Sequence, residues 1–165
     1  MNIREFQKIV IEKARKKGFS DCEVYYQKGS SFQICVSDGE VEQYETSVCS
    51  GAAFRGVING KTGFAYTERF DEYAAEFVIN AAVENAEIAE GETEEIFFGG
   101  EEYKQLKLYN EELDKISSEE KIKCAKDTEK AAVEYSDKVR AVDRCIYADE
   151  NAEVRIMNTK GLDAG

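Results

Sequence analysis

The sequence predicts an α+β fold: a two-layer domain in which an antiparallel β meander packs against about three helices, with a C-terminal β-hairpin. Three observations predict it. Apolar residues recur at helical spacing before Gly18, the period drops to two between Cys22 and Thr67, and helical spacing returns after Asp71 and after Ser117. Strands gathered in one run with helices on either side give segregated layers, not alternating βαβ units. At 165 residues the chain is long enough to bury one core, and residues 1–165 read as a single domain.

The first helix opens at Asn2, which forms a capping box with Glu5. Ile3, Phe6, Val10 and Ala14 make its apolar face, and Gly18 stops it. Lys13, Arg15, Lys16 and Lys17 sit at the negative end of its dipole, so this basic cluster is charge–dipole matching and not a nucleic-acid patch. Alternation then begins: Val24 and Tyr26 against Glu23 and Gln27, and Phe32, Ile34 and Val36 against Gln33, Cys35 and Ser37. Asp38-Gly39 and Asn59-Gly60 are two-residue hairpin turns, whose type I′ geometry needs positive φ at both positions. The run from Cys22 to Thr67 reads as about five strands.

Asp71 caps a second helix whose stripe is Ala74, Phe77, Val78, Ala81, Ala82, Ile88 and Ala89, ended by Gly91. Ile96 to Tyr109 is short, aromatic and irregular, broken at Gly99-Gly100. Ser117 and Glu120 form another capping box, opening a helix with Ile122, Ala125, Ala132 and Tyr135 on one face. The C-terminal hairpin follows, with strands Val139–Tyr147 and Ala152–Met157 around a turn at Asp149-Glu150-Asn151. Asn158-Thr159-Lys160-Gly161 is one more turn, aimed at a strand for which few residues remain, as in a chain cut from something longer.

Charge and composition narrow the function. The chain carries 34 acidic against 22 basic residues, a net −12, the opposite of the basic footprint a nucleic-acid binder needs. It contains no histidine, so it offers no His-ligated zinc site, no Ser-His-Asp triad and no Cys-His pair. No catalytic residue and no metal ligand is assigned, and substrate-binding positions stay unassigned. Carboxylates abound, yet nothing in the spacing singles out an acid–base pair. Cys22, Cys35, Cys49, Cys124 and Cys145 are odd in number and form no CxxC, which suits reduced cytosolic thiols acting as small buried hydrophobes.

The N-terminus is charged throughout, and the most apolar stretch, Ala74 to Val83, is broken by Glu76 and Asn80. We therefore expect no membrane span and a cytoplasmic location. Asp71 to Tyr103 holds eleven acidic and no basic residues, the pattern of a solvated acidic surface. Within it, Glu92, Glu94 and Glu95 lack the Asp/Asn-rich loop and central Gly that calcium coordination needs. Gly51, Gly56, Gly60 and Gly63 are too irregular for a dinucleotide fingerprint. Tyr25, Tyr26, Tyr44 and Tyr66, with no basic residues interleaved, read as sheet-packing aromatics and not as a stacking platform for nucleic acid.

Several segments in order carry a family resemblance. Asp21-Cys22-Glu23-Val24-Tyr25, Ser37-Asp38-Gly39-Glu40-Val41-Glu42 and Gly56-Val57-Ile58-Asn59-Gly60-Lys61-Thr62-Gly63-Phe64-Ala65-Tyr66 come first. Leu108-Tyr109, Leu113, Ser117-Ser118-Glu119-Glu120-Lys121 and Asn158-Thr159-Lys160-Gly161-Leu162 follow. Together they resemble the N-terminal domain of the TldD/PmbA family, also labelled modulators of DNA gyrase. The resemblance implies part of a longer cytoplasmic protein whose catalytic members are metallopeptidases acting on small or unfolded peptides. Their HExxxH helix, in a C-terminal domain, lies beyond the region matched, so no cofactor belongs to this chain and the chain alone should be inactive. PmbA-like members lack that motif and serve as partner subunits; which type this chain belongs to stays open.

Implied partners are the missing C-terminal domain, a homodimeric or TldD/PmbA-type heterodimeric copy, and peptide substrate, with neither nucleic acid nor membrane. In the family the N-terminal domain helps wall a peptide-admitting cavity. A strand edge near Ala152–Met157 could hold peptide by main-chain hydrogen bonds, although pairing of that edge with the rest of the protein is the stronger expectation. The alternative is a stand-alone acidic interaction module that presents the Asp71–Tyr103 surface to a basic partner and has no peptidase link.

Overall fold

The computed structural model describes residues 1–91, 97–100, 103 and 108–165. In chain order these form α1 (Ile3–Lys17), β1 (Asp21–Ser37), β2 (Glu40–Ile58), β3 (Lys61–Thr67), α2 (Glu72–Ile88), a 3-10 turn (Leu113–Lys115), α3 (Ser118–Glu134), β4 (Cys145–Asn158) and β5 (Asp163–Ala164). The antiparallel sheet has the order β3-β2-β1-β4-β5, so the predicted α+β class holds. The chain divides into two compact units. Unit 1 comprises Met1–Lys28, Ser50–Lys104 and Glu153–Gly165, and unit 2 comprises Gly29–Cys49 and Gln105–Ala152.

In unit 1, α1 begins as its capping box requires: the Asn2 side chain accepts the Glu5 N–H at 2.9 Å, and Glu5 accepts the Asn2 N–H in return. Phe6, Val10 and Ala14 are buried on the face their spacing sets out. Gln7 is also fully buried, and its Nε2 donates to the carbonyls of Val24 (3.1 Å) and Arg155 (3.3 Å), tying α1 to β1 and β4. Asp71 caps α2 through the Ala74 N–H at 2.8 Å. Along β3, buried Gly63, Ala65 and Thr67 alternate with exposed Phe64 and Tyr66, as a strand covered on one face must. A Cβ on Gly63 would fall into the Ala82 carbonyl, so its bare Cα is what lets α2 lie on β3. Phe6, Val10, Val24, Phe54, Val78 and Met157 belong to one continuous core.

In unit 2, Phe32, Ile34 and Val36 of β1 pack with Ala125 of α3, flanked by Ile122 and Tyr147. The turn at Asp38 (φ 51°) and Gly39 (φ 76°) is the type I′ connection expected, as is its counterpart at Asn59 (φ 52°) and Gly60 (φ 73°).

Several expectations need correction. Between Cys22 and Thr67 there are three strands, not five, because β1 runs through Gly29-Ser30-Ser31 and β2 through Ser50-Gly51 without turning. Neither glycine adopts positive φ. Asp149-Glu150-Asn151 is likewise strand: β4 is continuous, begins only at Cys145, and forms the C-terminal hairpin with β5 through the Asn158–Gly161 turn. On α2, Phe77 and Ile88 are exposed, while Ala75, Ile79 and Ala86 complete the stripe. On α3, Ala132 and Tyr135 are exposed and Glu129 takes the buried position.

Candidate functional site

A concavity of about 750 Å3 lies in unit 2, lined by residues 31–33 of β1, 44–47 of β2 and 148–150 of β4. The Phe32 side chain lines it. Tyr44 packs edge-on at 5.4 Å between centroids and Tyr147 at 6.1 Å, the T-shaped geometry that ring quadrupoles favour. Above the same ring sits the Lys121 ammonium, 4.7 Å from the centroid.

Lys121 Nζ lies 2.8 Å from Asp149 Oδ2, and the two side chains are only 11% and 18% exposed. A pair so little exposed holds together because the opposite charge, helped by the Phe32 ring beneath Lys121 and the Tyr147 hydroxyl at Asp149, replaces the hydration each has lost. Burial pushes the Tyr147 phenol above its ordinary range, and its hydrogen bond to Asp149 adds to the rise. Ser31, Gln33, Thr46 and Ser47 line the concavity with hydroxyl and amide groups, together with Glu45 and Glu150. An aromatic ring with hydroxyl, amide and carboxylate groups around it can take a ligand that carries both apolar and hydrogen-bonding groups.

Unit 1 contributes a polar corner around the Asn158–Gly161 turn. Asn158 is 6% exposed, and its Oδ1 accepts the Lys160 and Leu162 N–H groups at 3.0 and 3.1 Å. Its Nδ2 donates to Glu23 Oε2 (3.3 Å) and to the Phe98 carbonyl (2.9 Å). Glu23 also pairs with Arg55 at 3.0 Å, and the Arg55 guanidinium lies 5.1 Å above the Phe97 ring. The turn returns the chain so that Ala164 and Asp163 pair with Ile156 and Met157. Part of the Ala152–Met157 edge is therefore occupied by β5 and is not open to peptide. Hydrogen bonding from Arg4, with Arg155 adding to it, holds the Asp163 carboxyl below the usual carboxylate range.

The remaining sequence candidates scatter. Of the four tyrosines only Tyr26 is buried; Tyr25, Tyr44 and Tyr66 are exposed, and Tyr44 alone reaches the concavity. Cys22 and Cys35 are buried as expected, but Cys49 and Cys124 are exposed and Cys145 is half-buried, which corrects the reading of all five as core. Burial pushes the Cys22 thiol up to about 12, so it stays protonated. Glu92, Glu94 and Glu95 lie outside the described residues. Among the described residues no three Asp, Glu or Cys side chains converge on a metal-sized site, and no helix is long and apolar enough to cross a membrane. The sequence reading missed Lys121, Asp149 and Glu129. The signal was there for two of them: Lys121 and Glu129 sit four residues to either side of buried Ala125.

An antiparallel sheet with helices in each unit, and a concavity in unit 2 lined by aromatic and polar side chains, defines an α+β protein. Residues 22–87 match PmbA/TldA metallopeptidase domain 1, and residues 111–165 match the PmbA/TldA metallopeptidase central domain. The chain belongs to the PmbA/TldD family.

Solved structures agree in fold. A candidate modulator of a DNA gyrase from Thermotoga maritima superimposes with a TM-score of 0.87 at 25% identity, covering 99% of this chain and 36% of that one. TldE from Thermococcus kodakarensis gives 0.85 at 19%, covering 96% and 36%. A candidate modulator of DNA gyrase from Bacteroides thetaiotaomicron gives 0.82 at 17%, covering 98% and 37%. The chain thus spans little more than a third of the proteins it resembles. No curated protein matches it.

Proposed function

We propose that this chain is the non-catalytic, substrate-cavity and assembly portion of a cytoplasmic PmbA/TldD-type metallopeptidase, or of the PmbA-like subunit that partners one, serving proteolysis of small or unfolded peptides. The observation that carries the reading is the match of two family domains in order over a chain with no histidine. A peptidase metal of the HExxxH kind needs imidazole ligands, and the residues present do not fit it, so no metal step is assigned here. What the chain supplies is surface: the concavity lined by Phe32 and Tyr44 for peptide, and a fold held in register for the rest of the protein and for a second subunit.

The test uses the purified chain with an unfolded peptide, with and without chelator. No hydrolysis is expected in either case, and chelator-sensitive hydrolysis is expected when the HExxxH-bearing region of a family member is co-expressed with it. Chelator-resistant cleavage by the chain alone would refute the reading. Gel filtration of the co-expressed proteins tests the assembly role, which fails if they elute separately.

A further inference from the structure

The outer edge of β2 is open in its N-terminal half. β3 pairs with β2 only from Ala52 to Ile58, and among the described residues no strand pairs with the outer side of Glu40–Cys49, the part of β2 in unit 2. Every residue of that stretch is exposed. Native sheets blunt such an edge with Pro, Lys, a short strand or a covering loop, because its unpaired N–H and C=O groups are a template for pairing. This one carries no Pro, Lys or Arg, and it presents Tyr44 (50% exposed) and Val48 (74%) to solvent. Tyr44 is fixed on the α3 side of the strand: its ring meets Phe32 edge-on at 5.4 Å, and its hydroxyl donates to Ser118 Oγ at 3.4 Å. Strand alternation places Thr46 and Val48 on that same side.

We propose that a second copy of this chain adds to this edge, its β2 pairing antiparallel with this β2 about a two-fold axis at Thr46. Over Gln43–Cys49 the axis sets Thr46 opposite the partner's Thr46. Tyr44 falls opposite the partner's Val48 on both sides of the axis, so two exposed apolar side chains cover each other twice. Thr–Thr and aromatic–β-branched pairs are among those that stabilise antiparallel ladders. Glu45 falls opposite the partner's Ser47 and Gln43 opposite the partner's Cys49, so no carboxylate faces another directly. An axis one residue earlier, at Glu45, would set the two Glu45 carboxylates face to face and leave Val48 against the partner's Glu42. A basic extended segment would answer Glu42 and Glu45, but nothing in the edge fixes its register, whereas the Tyr44–Thr46–Val48 spacing is self-complementary. The pairing names a surface for a second subunit and stands apart from the peptidase reading, since two copies of this chain suffice.

The test is sedimentation velocity of the purified chain over a concentration series, with single cysteines to fix the register. A short strand edge is a small interface, so reversible dimerisation with a dissociation constant on the order of 10 μM to 1 mM is expected. The two Glu45 residues lie on the diagonal, about 7–8 Å apart, so added salt should strengthen association. Val48→Asp removes the apolar contact twice and sets a carboxylate diagonal to the partner's Glu42; at this exposed position it should leave the circular dichroism unchanged and weaken dimerisation at least about tenfold. With the exposed Cys49 and Cys124 replaced by Ser, Thr46→Cys should form an intermolecular disulfide under mild oxidation. Glu45→Cys and Ser47→Cys should each crosslink poorly alone and well when mixed, because directly opposite Cα atoms fall within disulfide reach and diagonal ones do not. The proposal is overturned if the chain stays monomeric at about 1 mM, if salt weakens the dimer, if V48D dimerises like the wild type, or if all three cysteine positions crosslink alike. It is equally overturned if a Lys-rich extended peptide, and not a second copy, shifts the amide resonances of residues 43–49.

Discussion

Gly63→Ala tests how unit 1 is held together. A methyl on Gly63 would fall into the Ala82 carbonyl, with the carbonyl carbon 2.7 Å away and the Ala86 Cβ at 3.2 Å. Carbon atoms rest about 3.5–4.0 Å apart, so α2 would have to retreat from β3 by roughly 1 Å. A gap of that size forfeits about a quarter to a half of each dispersion contact it opens. The obstacle is helix backbone, which cannot rotate aside, so the cost should reach or exceed the upper end of overpacking penalties, about 3 kcal/mol.

Two other glycines calibrate the argument. A methyl on Gly56 meets the Phe19 ring at 2.7 Å and the Phe54 ring and Cys22 Cβ at 2.9 Å; the rings can shift, while the Cys22 Cβ moves only with its backbone, so about 1–3 kcal/mol is expected. A methyl on Gly51 meets the Thr67 carbonyl at 3.5 Å, an ordinary contact. There Ala should be neutral or slightly stabilising, by up to about 1 kcal/mol, through the unfolded chain. Urea unfolding followed by circular dichroism measures all three; with a slope near 2 kcal/mol per molar, G63A should lower the midpoint by about 1.5 M. A midpoint for G63A within 0.2 M of wild type, or a larger loss for G51A, would refute the close-approach argument.

Three further outcomes are expected. Lys121→Met should cost about 2–4 kcal/mol by leaving Asp149 buried without its cation, whereas Lys121→Met with Asp149→Leu should recover most of it; a double variant no better than the single would show that the pair is not coupled. Asp163 is held below its unfolded value by Arg4 and Arg155, so its contribution is present above the ordinary carboxylate range, near pH 4, and lost as pH falls through its lower folded value. The stability gap between wild type and Asp163→Asn should therefore close on acidification, and a gap that is constant down to pH 2 would contradict the linkage. Alkylation at pH 8 followed by mass spectrometry should label Cys49 and Cys124 while sparing Cys22 and Cys35 until denaturant is added; early labelling of Cys22 would contradict its burial.

Local chemistry made the helices and tight turns legible. Capping residues Asn2, Asp71 and Ser117 act through hydrogen bonds spanning three residues, and Asp38-Gly39 and Asn59-Gly60 act through their own dihedrals, so no distant part of the chain can override them. Misreadings cluster where a residue type permits a turn without requiring one. Asp149-Glu150-Asn151 reads as a turn, and a count of about five strands needs breaks within β1 and β2, yet Asp149-Glu150-Asn151, Gly29-Ser30-Ser31 and Ser50-Gly51 each lie inside a strand. They also lie at or within a few residues of the points where β1, β2 and β4 pass from one compact unit to the other. Small and polar residues there mark where apolar side chains stop being needed, a change in packing that a turn reading mistakes for a change in direction.

The site was harder to read for a related reason. Binary patterning assigns charge to the outside, so Lys121 and Glu129 were passed over on a helix face whose Ala125 was correctly placed inside. A charged residue enters that face only if a partner from elsewhere in the chain meets it: Asp149, twenty-eight residues on, for Lys121, and the Gly39 N–H, ninety residues back, for Glu129. Neither partner carries a local signature. In a chain without histidine, the informative question is therefore which charges sit at positions where the helical period calls for an apolar side chain. Two of the concavities in unit 2 have such a residue, Lys121 over the Phe32 ring that lines one and Glu129 in the lining of another.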